Sequence, residues 1–593
     1  MVGIIKNILI LILTGTIIIC LFTFSSTHLQ YMIYVKQIND ITTTLILSFF
    51  CIFITSFTLF IRRKRFIYDI NIMDTVFTLY FLYILIRIYT VPNINVEHVY
   101  FVSSLFMFYI ALRVQRKSNF KYYILLLSVA GLFQLIYSIS RQAEYYTFAE
   151  KIIRVHGVFL NTSIWGGFVA ILFLISISYL LLPQQNRYIR ILNLILAFIW
   201  AAILLASNAR GAWLAAIGGL IYLLLRYFDT SNKKIRFFIP RGIVLGGFLM
   251  FLLYRYKTAS ADGRLVIWNI SWEMIKENPL FGFGINGFKK HYMHYQSIHL
   301  QEFTNTFHTY LSDENVYAFN ELIKIWVEQG AFGLLFTILC IYVVVKAVKI
   351  DKCSKRRFSE SDLSIAILIS FFIFGMFSYP SDVFQMSVLF ILFLAHTASN
   401  LSPSFKTVVC MNKIFVFCSI FCVSGIITIL FPHLINYKRA SAQWRAIIYK
   451  PATIENIHKI ESLLPILKHS DPYLYEYGMK LNELKNEKAI KILEKSNNLY
   501  SSYYTLMELS TAYENAQDFI RQESSLIKAS QMIPHKFTPH YRLLLLYEKT
   551  GRQSEALEKA QYILHKRIKI RTCALNEILD HTEDIYEKIK ESN

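Results

Sequence analysis

The stretch ILNLILAFIWAAILLASNARGAWLAAIGGLIYLLL, residues 191–225, consists of two apolar runs separated by the short polar turn Ser207-Asn208-Ala209-Arg210. A helix that crosses a bilayer needs about 20 mostly apolar residues, and each run comes close to that length. Both runs are apolar on every side of a helix, so neither has the polar face that a surface helix of a soluble protein shows. The stretch therefore predicts two membrane-spanning helices joined by a tight turn.

Similar apolar runs recur along the whole chain of 593 residues, of which 55% are hydrophobic and only 17% charged. An ordinary globular domain is less apolar than this. We therefore predict an all-α, polytopic helical membrane protein with about 12–13 spans, whose first run stays in the membrane as a signal anchor. The predicted spans are residues 4–24, 42–61, 72–91, 98–112, 122–139, 164–182, 190–206, 212–228, 240–254, 331–348, 363–379, 384–400 and 413–435.

Lys and Arg side chains are distributed very unevenly between alternate connections. One set of connections carries 23 of them, whereas the short connections on the other side carry 5, namely Lys36, Arg141, Lys151, Arg154 and Arg210. By the positive-inside rule the basic set is cytoplasmic, which puts the N-terminus inside and residues 255–330 outside. Membrane topology therefore accounts for the net charge of +22, and no nucleic-acid partner is expected.

The chain divides into parts of different composition. A polar, aromatic-rich loop is inserted into the apolar core, and it is too long to be a simple connector. Helices are expected at its two ends, near 263–277 and 318–328, with a turn at Asn278-Pro279 after the first helix. The predicted parts are an N-terminal membrane core 1–254, an extracytoplasmic catalytic loop 255–330, C-terminal membrane helices 331–435 and an extracytoplasmic helical tail 436–593.

The tail is self-similar at a period of 34 residues, because Ala512-Tyr513 recurs as Leu546-Tyr547. That period is typical of tetratricopeptide repeats, which are pairs of helices. Three units are predicted, at roughly 473–500, 503–533 and 540–567. Such a tail could form a binding groove for a protein partner or for the acceptor, or it could be a stacked helical cap. If it only recruits an acceptor, a chain ending near Lys438 should still insert and bind its donor.

Four arginines lie at or near the predicted outer face, where basic residues are scarce: Arg87, Arg154, Arg210 and Arg264. Arg87 lies one turn from the outer end of the third predicted span, where an isolated charge is costly and usually functional. A planar guanidinium can bind two phosphate oxygens at once, so these residues predict a phosphate-binding site. The structural alternative is snorkelling toward the membrane surface, or an ion pair with a carboxylate such as Glu144.

Three motifs occur around these arginines in a fixed order. They are Arg154–Asn161 before the sixth predicted span, Ser207–Ala212 between two spans, and Gly263–Trp268 followed by Pro279–Phe288 in the loop. Together with the position of the long outer loop, they resemble the O-antigen ligase/polymerase superfamily, which includes O-oligosaccharyltransferases. The resemblance covers roughly residues 150–345.

The last element of that family is a His-Asn pair, a glutamate and then Gly-x-x-Gly at the start of a span. In this chain Asn320-Glu321 precedes Gly330-Ala331-Phe332-Gly333, but Phe319 stands where the ligases carry histidine. This departure leaves open which side chain acts as the general base.

The resemblance implies an enzyme of a bacterial inner membrane that transfers a preassembled glycan from undecaprenyl diphosphate to an acceptor hydroxyl on lipid A core, protein or another molecule. Arg210 and Arg264, with Arg154 and Arg87, would neutralise the leaving diphosphate. Glu321 or His308 would take the proton from the acceptor hydroxyl. No cofactor and no metal ion are expected, because the histidines of the loop match no compact ligand pattern.

Other functions are consistent with parts of the sequence. A polysaccharide polymerase would use the same donor with a second lipid-linked glycan as acceptor, and the sequence does not separate it from a ligase. A transporter or flippase of lipid-linked sugars would be expected to show repeated halves with broken spans, which this chain lacks in sequence. A non-catalytic scaffold would use the tail to gather envelope proteins and would leave Arg210 and Arg264 free to vary.

Overall fold

Most of the residues that the structure describes are helical. The structure, a computed structural model, describes residues 2–23, 29–61, 66–90, 96–115, 119–144, 159, 161–183, 185–228, 255, 258–302, 307–353, 358–401, 406–411 and 413–592. Before the loop these residues form α1 (Val2–Thr23), α2 (Leu29–Ile61), α3 (Ile72–Thr90), α4 (Val96–Arg113), α5 (Phe120–Glu144), α6 (Thr162–Leu181), α7 (Arg187–Ala206) and α8 (Arg210–Tyr227).

Among the described residues, three helices lie in the loop and four more lead from it to the tail. The loop helices are α9 (Thr258–Glu277), α10 (Gly287–Glu302) and α11 (Phe307–Leu311). They are followed by α12 (Glu321–Cys353), α13 (Glu360–Gly375), α14 (Phe384–Ser399) and α15 (Lys413–Ile448). The helix predicted at 263–277 is thus present in a longer form, whereas α10 and α11 were not predicted.

Twelve of the thirteen predicted spans coincide with these helices, and the remaining one, 240–254, lies outside the described residues. Six helices of the described ranges are long and apolar enough to cross a membrane. They are Gln37–Thr58, Ile72–Thr90, Phe120–Ile139, Thr162–Leu181, Arg187–Ala206 and Glu321–Lys346. The prediction of a polytopic helical membrane protein is confirmed.

A small antiparallel sheet, which was not predicted, joins the two membrane parts of the chain. Its strands are β1 (Phe66–Asn71) and β2 (Lys406–Met411), with Phe66 opposite Met411. Each strand directly precedes or closely follows a membrane helix, so the pairing connects the N-terminal core to the helices after the loop.

Glycines allow the central helices to approach one another closely. A Cβ atom on Gly166 of α6 would lie only 2.6 Å from the Cβ of Ala209, and one on Gly218 of α8 would lie 2.2 Å from Cδ1 of Ile373 in α13. The turn before α8 is therefore pressed against the start of α6, which fixes the position of the residues that follow it.

The tail consists of consecutive short helices. These are α16 (Ile454–Glu461), α17 (Leu464–Leu467), α18 (Asp471–Glu483), α19 (Lys488–Leu499), α20 (Tyr503–Asn515), α21 (Phe519–Met532), α22 (Thr538–Lys549), α23 (Gln553–His565) and α24 (Cys573–Ser592). From α18 onward each helix packs against the next. Helix pairs therefore cover the three predicted units, while their assignment as tetratricopeptide repeats remains a prediction.

Two large hydrophobic clusters organise the molecule. One lies among the membrane helices and includes Trp165 and Trp200. The other is continuous from the loop, where it includes Ile270 and Tyr292, into the tail, where it includes Trp444. The loop and the tail consequently share one hydrophobic core. The start of α12 lies between this core and the cluster of the membrane helices.

Candidate active site

The turn between α7 and α8 places Arg210 at the start of a helix. Ser207 Oγ donates to the carbonyl of Leu204 (2.6 Å) and accepts from the N–H of Ala209 (3.3 Å), which closes the turn. Asn208 adopts the left-handed conformation with a φ of 52°, which asparagine tolerates better than most residues. Arg210 is then the first residue of α8.

Arg264, near the start of α9, lies within electrostatic range of Arg210. Burial lowers the pKa of the Arg264 guanidinium below its usual value, and the positive charge of Arg210 lowers it further. Arginine nevertheless stays protonated at physiological pH, so both guanidinium groups carry a positive charge. Within the described part of the chain no carboxylate forms an ion pair with Arg264.

An aromatic cluster just before α12 contacts Arg264. The guanidinium carbon lies 5.4 Å from the ring centroid of Phe319. Phe319 in turn contacts Tyr379 edge-on at 5.5 Å, and Tyr379 is stacked on Tyr317 at 3.8 Å. Phe319 has a φ of 52°, which is strained for a residue with a bulky side chain. The aromatic contacts stabilise this conformation just before α12 begins.

Glu321 is the first residue of α12, and its carboxylate binds the 3₁₀ turn Pro380–Asp382 between α13 and α14. One of its oxygens accepts from the N–H of Ser381 (2.8 Å) and the other from the Ser381 hydroxyl (2.6 Å). Asn320 caps the helix by accepting from the N–H groups of Leu322 (3.0 Å) and Ile323 (3.2 Å). Glu321 is therefore oriented by a second element, beyond the usual preference of carboxylates for helix N-termini.

Lys324 and Asp382 complete a polar cluster around Glu321. The Lys324 ammonium donates to the Ser381 hydroxyl (3.0 Å) and forms an ion pair with Asp382. The cluster thus contains two carboxylates, one ammonium and one hydroxyl where α12 meets the turn between α13 and α14. Such a set can accept a proton and can hydrogen-bond a hydroxyl group of a ligand.

Two glycine-containing turns pack against each other beside this cluster. We call this contact the glycine joint, and it consists of residues 279–284 after α9 and 327–332 around the break in α12. The N–H groups of Phe283 and Gly284 donate to the carbonyls of Val327 and Glu328 (both 2.8 Å), and Ala331 donates to the carbonyl of Pro279 (2.9 Å).

Both glycines at the centre of the joint require the absence of a side chain. Gly282 and Gly330 have φ values of 65° and 67°, which L-amino acids rarely adopt. A Cβ on Gly330 would lie 2.2 Å from the carbonyl group of Leu280. The Gly-rich turn after α9 and the Gly-x-x-Gly element therefore act as one structural unit.

Arg87 lies at this joint rather than beside Arg264. Its Nη2 donates to the carbonyl of Gly282 (3.0 Å), and its guanidinium lies 5.8 Å from the ring centroid of Phe281. Tyr83, one turn earlier on α3, donates from its hydroxyl to the carbonyl of Gln329.

The other two residues of the predicted site are His308 and Arg154. The ring of His308 lies 6.0 Å from that of His299, at the junction of α10 and α11. Arg154 and the motif around it lie outside the described residues, apart from Phe159 and Asn161. Across the described ranges, no three His, Cys, Asp or Glu side chains are grouped as metal ligands would be.

A groove of about 440 Å³ lies between α10 of the loop and α21 of the tail. Next to it, Gln296 donates to the carbonyl of Met532 (2.7 Å). Its lining combines amides and charged groups with a few aliphatic side chains. The lining residues are His294, Ser297, Ile298, Gln301, Ile520, Glu523, Ser524, Ile527, Lys528 and Gln531.

Sequence reasoning did not identify Ser381 and Asp382. They lie in the sequence Tyr379-Pro380-Ser381-Asp382, which separates two apolar spans on the predicted outer side. A short connection that contains proline, serine and aspartate is ordinarily read as a turn. The available signal was its position, because the charge distribution puts it on the same face as Arg210 and the loop.

Comparison with known proteins supports part of the resemblance. Residues 194–338 match the family described as "O-Antigen ligase". A Rickettsia felis protein is 24% identical over 218 residues, which are 35% of this chain and 50% of that protein. A Rickettsia conorii protein is 24% identical over 218 residues and is covered to 49% of its length. Both carry the name "Putative polysaccharide ligase", and the chain spans about half the length of these curated relatives.

Proposed function

We propose that the protein is a membrane glycosyl-transfer enzyme that moves a preassembled glycan from undecaprenyl diphosphate to an acceptor hydroxyl, as an O-antigen ligase or protein O-oligosaccharyltransferase does. The observation that carries this proposal is the guanidinium of Arg264, which is partly buried, lies over the ring of Phe319 and is within electrostatic range of Arg210. Two neighbouring guanidinium groups repel each other, and a diphosphate bound between them would offset that repulsion. The match over residues 194–338 supports it, because that range contains Arg210, Arg264 and Glu321.

In the proposed reaction the acceptor oxygen attacks the anomeric carbon of the lipid-linked glycan. The bond between that carbon and the diphosphate oxygen breaks, and the electron pair leaves with undecaprenyl diphosphate. Arg210 and Arg264 stabilise the charge that grows on the diphosphate. Glu321 takes the proton of the acceptor hydroxyl, and Ser381 keeps the carboxylate oriented.

The tail is proposed to bind the acceptor or a protein that presents it. The groove between α10 and α21 supports this role, since it is open, lined by both polar and aliphatic side chains, and formed jointly by the loop and the tail. Amide, hydroxyl and charged side chains of this kind hydrogen-bond saccharide hydroxyl groups.

The proposed setting is a bacterial inner membrane with the N-terminus in the cytoplasm and the tail outside. The uneven distribution of Lys and Arg supports this orientation. Reporters fused at Lys233 and at Asn593 should therefore report opposite compartments, and two cytoplasmic signals would contradict both the orientation and the outer location of the site.

The function is tested by transfer from purified undecaprenyl-diphosphate-linked glycan. Lysine keeps the charge but not the two-pronged geometry, so Arg264→Lys and Arg210→Lys should each lower the rate about 10²–10³-fold. Glu321→Gln should abolish transfer while donor binding is retained. Arg187→Lys, at an exposed position at the start of α7, is the matched control. Full transfer by both lysine variants would contradict the diphosphate site.

A further inference from the structure

Helix α3 contacts both halves of the glycine joint through two side chains one turn apart. Arg87 donates to the carbonyl of Gly282 in the turn after α9 (3.0 Å). Tyr83 donates to the carbonyl of Gln329, and its ring packs against Phe336 at 5.7 Å between centroids. A single membrane helix therefore holds together two segments that lie almost fifty residues apart in the sequence.

Both acceptors are backbone carbonyls at places where the chain turns sharply. Gln329 directly precedes Gly330, whose φ of 67° and ψ of −166° break α12 into two helical segments. A break of this kind leaves carbonyls without their intrahelical donors, and within a membrane such groups must be satisfied by another part of the protein. Tyr83 supplies such a donor to the carbonyl of Gln329, and Arg87 supplies one to the carbonyl of Gly282 in the facing turn.

The glycine joint also sets how α9 lies against the first segment of α12. The two helices run side by side in the same direction. Arg264 contacts Phe319, Trp268 donates to the carbonyl of Ala318 (3.0 Å), and Trp272 meets Trp326 edge-on at 5.6 Å. At the end nearest the joint, Trp326 donates to the carbonyl of Pro279 (3.2 Å).

A displacement at one end of this helix pair would therefore reach the other end. Arg264 lies fifteen residues before Pro279, which is about 22 Å along a helix. Because the aromatic contacts between α9 and α12 are discrete, a slip of one helix past the other changes the distance between Arg264 and Glu321. The joint lies at the opposite end of this helix pair from Arg264, where none of the proposed reacting groups lies.

We propose that Arg87 and Tyr83 are positioning residues, which fix the register of α9 against α12 and thereby the distance between Arg264 and Glu321. Arg87 then acts on the backbone of the loop and not on the donor diphosphate. The catalytic consequence rests on the proposed function, whereas the structural consequence does not.

The kinetic arm of the test compares Arg87→Ala, Arg87→Lys and Tyr83→Phe with the intact protein. Tyr83→Phe removes only the hydroxyl and is the variant least able to disturb folding. Arg87→Ala and Tyr83→Phe should lower kcat about 10- to 100-fold and leave the KM for the donor unchanged, since misplacing reacting groups by about 1 Å costs that much. Arg87→Lys should recover most of the rate, because an ammonium can still donate to the carbonyl of Gly282. Tyr89→Phe, at an exposed position of the same helix, is the control.

The structural arm measures hydrogen exchange at the amides of Phe283 and Gly284, which donate across the joint. Exchange at these two amides should become faster in Arg87→Ala and Tyr83→Phe, and should stay unchanged in Tyr89→Phe. Unchanged exchange would overturn the proposal, and so would an increased donor KM together with failure of Arg87→Lys to restore kcat. If the intact protein transferred no glycan, the proposed function would fail while the exchange measurement still decided the inference.

Discussion

The arginines of this protein differ in what they contact. Arg113 is buried and binds Asp74 through two hydrogen bonds of 2.7 Å, and Arg226 pairs with Asp362 at 2.9 Å. Breaking such a buried pair leaves an uncompensated charge, so these two are structural. Arg264 instead lies over the ring of Phe319, and no carboxylate among the described residues forms an ion pair with it.

The aromatic face of Phe319 is expected to affect the rate of transfer more than the volume of its side chain does. Phe319→Leu keeps an apolar side chain but removes the cation–π contact, which is worth about 0.5–2 kcal/mol. Transfer should therefore fall by about 2- to 30-fold in Phe319→Leu. Phe319→Tyr keeps the ring and should stay close to the intact enzyme. Equal rates for the two variants in the transfer assay would show that the ring does not orient Arg264.

Among the site residues, the sequence could predict those with an unusual position, but it could not predict their contacts with distant backbone atoms. Arg210 and Arg264 were selected because charge is rare on the outer face and because family-like motifs surround them, and in the structure the charge of Arg210 acts on Arg264. Arg87 carried the same signal, but its contact with the carbonyl of Gly282 depends on the packing of α3 against a distant segment. Such a contact has no local sequence pattern, because the acceptor is a backbone atom.

At the scale of the elements, the glycine joint is the feature on which the loop depends. In the sequence, the turn after α9 and the break in α12 each show only the glycines that are typical of an ordinary turn. In the structure they share three backbone hydrogen bonds of 2.8–2.9 Å. Neither turn can therefore change without the other.

A side chain at Gly330 should disrupt this joint. Gly330→Ala would place its Cβ 2.2 Å from the Leu280 carbonyl group at a φ of 67°, so we expect a loss of more than about 2 kcal/mol of stability. Gly263→Ala is the matched control on the same loop, because a Cβ there meets nothing within 4 Å and alanine favours the helix by up to about 1 kcal/mol. Thermal unfolding in detergent would measure both. A Gly330→Ala protein as stable as Gly263→Ala would mean that the two turns do not pack as described.

Membrane helices were predictable as elements because a run of about 20 apolar residues matches the thickness of the bilayer core when it is helical. The strands β1 and β2 were not, since their pairing joins residues 66–71 to residues 406–411 and no local pattern encodes so distant a partner. The helix α10 was also missed. Its sequence Gly287–Glu302 is rich in His, Tyr and Lys, and it packs on α21 of the tail, a distant partner that its own sequence does not reveal.

At the scale of the whole molecule, the loop and the tail are joined by polar bonds as well as by a shared core. Lys289 of α10 forms an ion pair with Asp471 at 2.8 Å and lies 4.7 Å from the ring centroid of Tyr500. The hydroxyl of Tyr500 donates to Glu314 at 2.6 Å, and burial raises the pKa of that carboxyl. These contacts connect the tail to the part of the loop that leads toward Phe319 and Glu321.

Removing the tail should therefore affect the loop itself and not only the recruitment of an acceptor. A chain ending at Lys438 loses Trp444 and the tail side of the shared cluster, so α10 should lose most of its protection against hydrogen exchange. The membrane helices belong to the other cluster, and we expect the truncated chain still to insert. Lys289→Ala in the full-length chain should weaken protection of α10 to a smaller degree, because it removes one ion pair and leaves the core intact. Lys276→Ala, which removes an exposed pair with Glu273 in α9, is the control. If α10 remained fully protected without the tail while transfer was lost, the tail would serve the acceptor alone; if both were retained, it would have no part in the reaction.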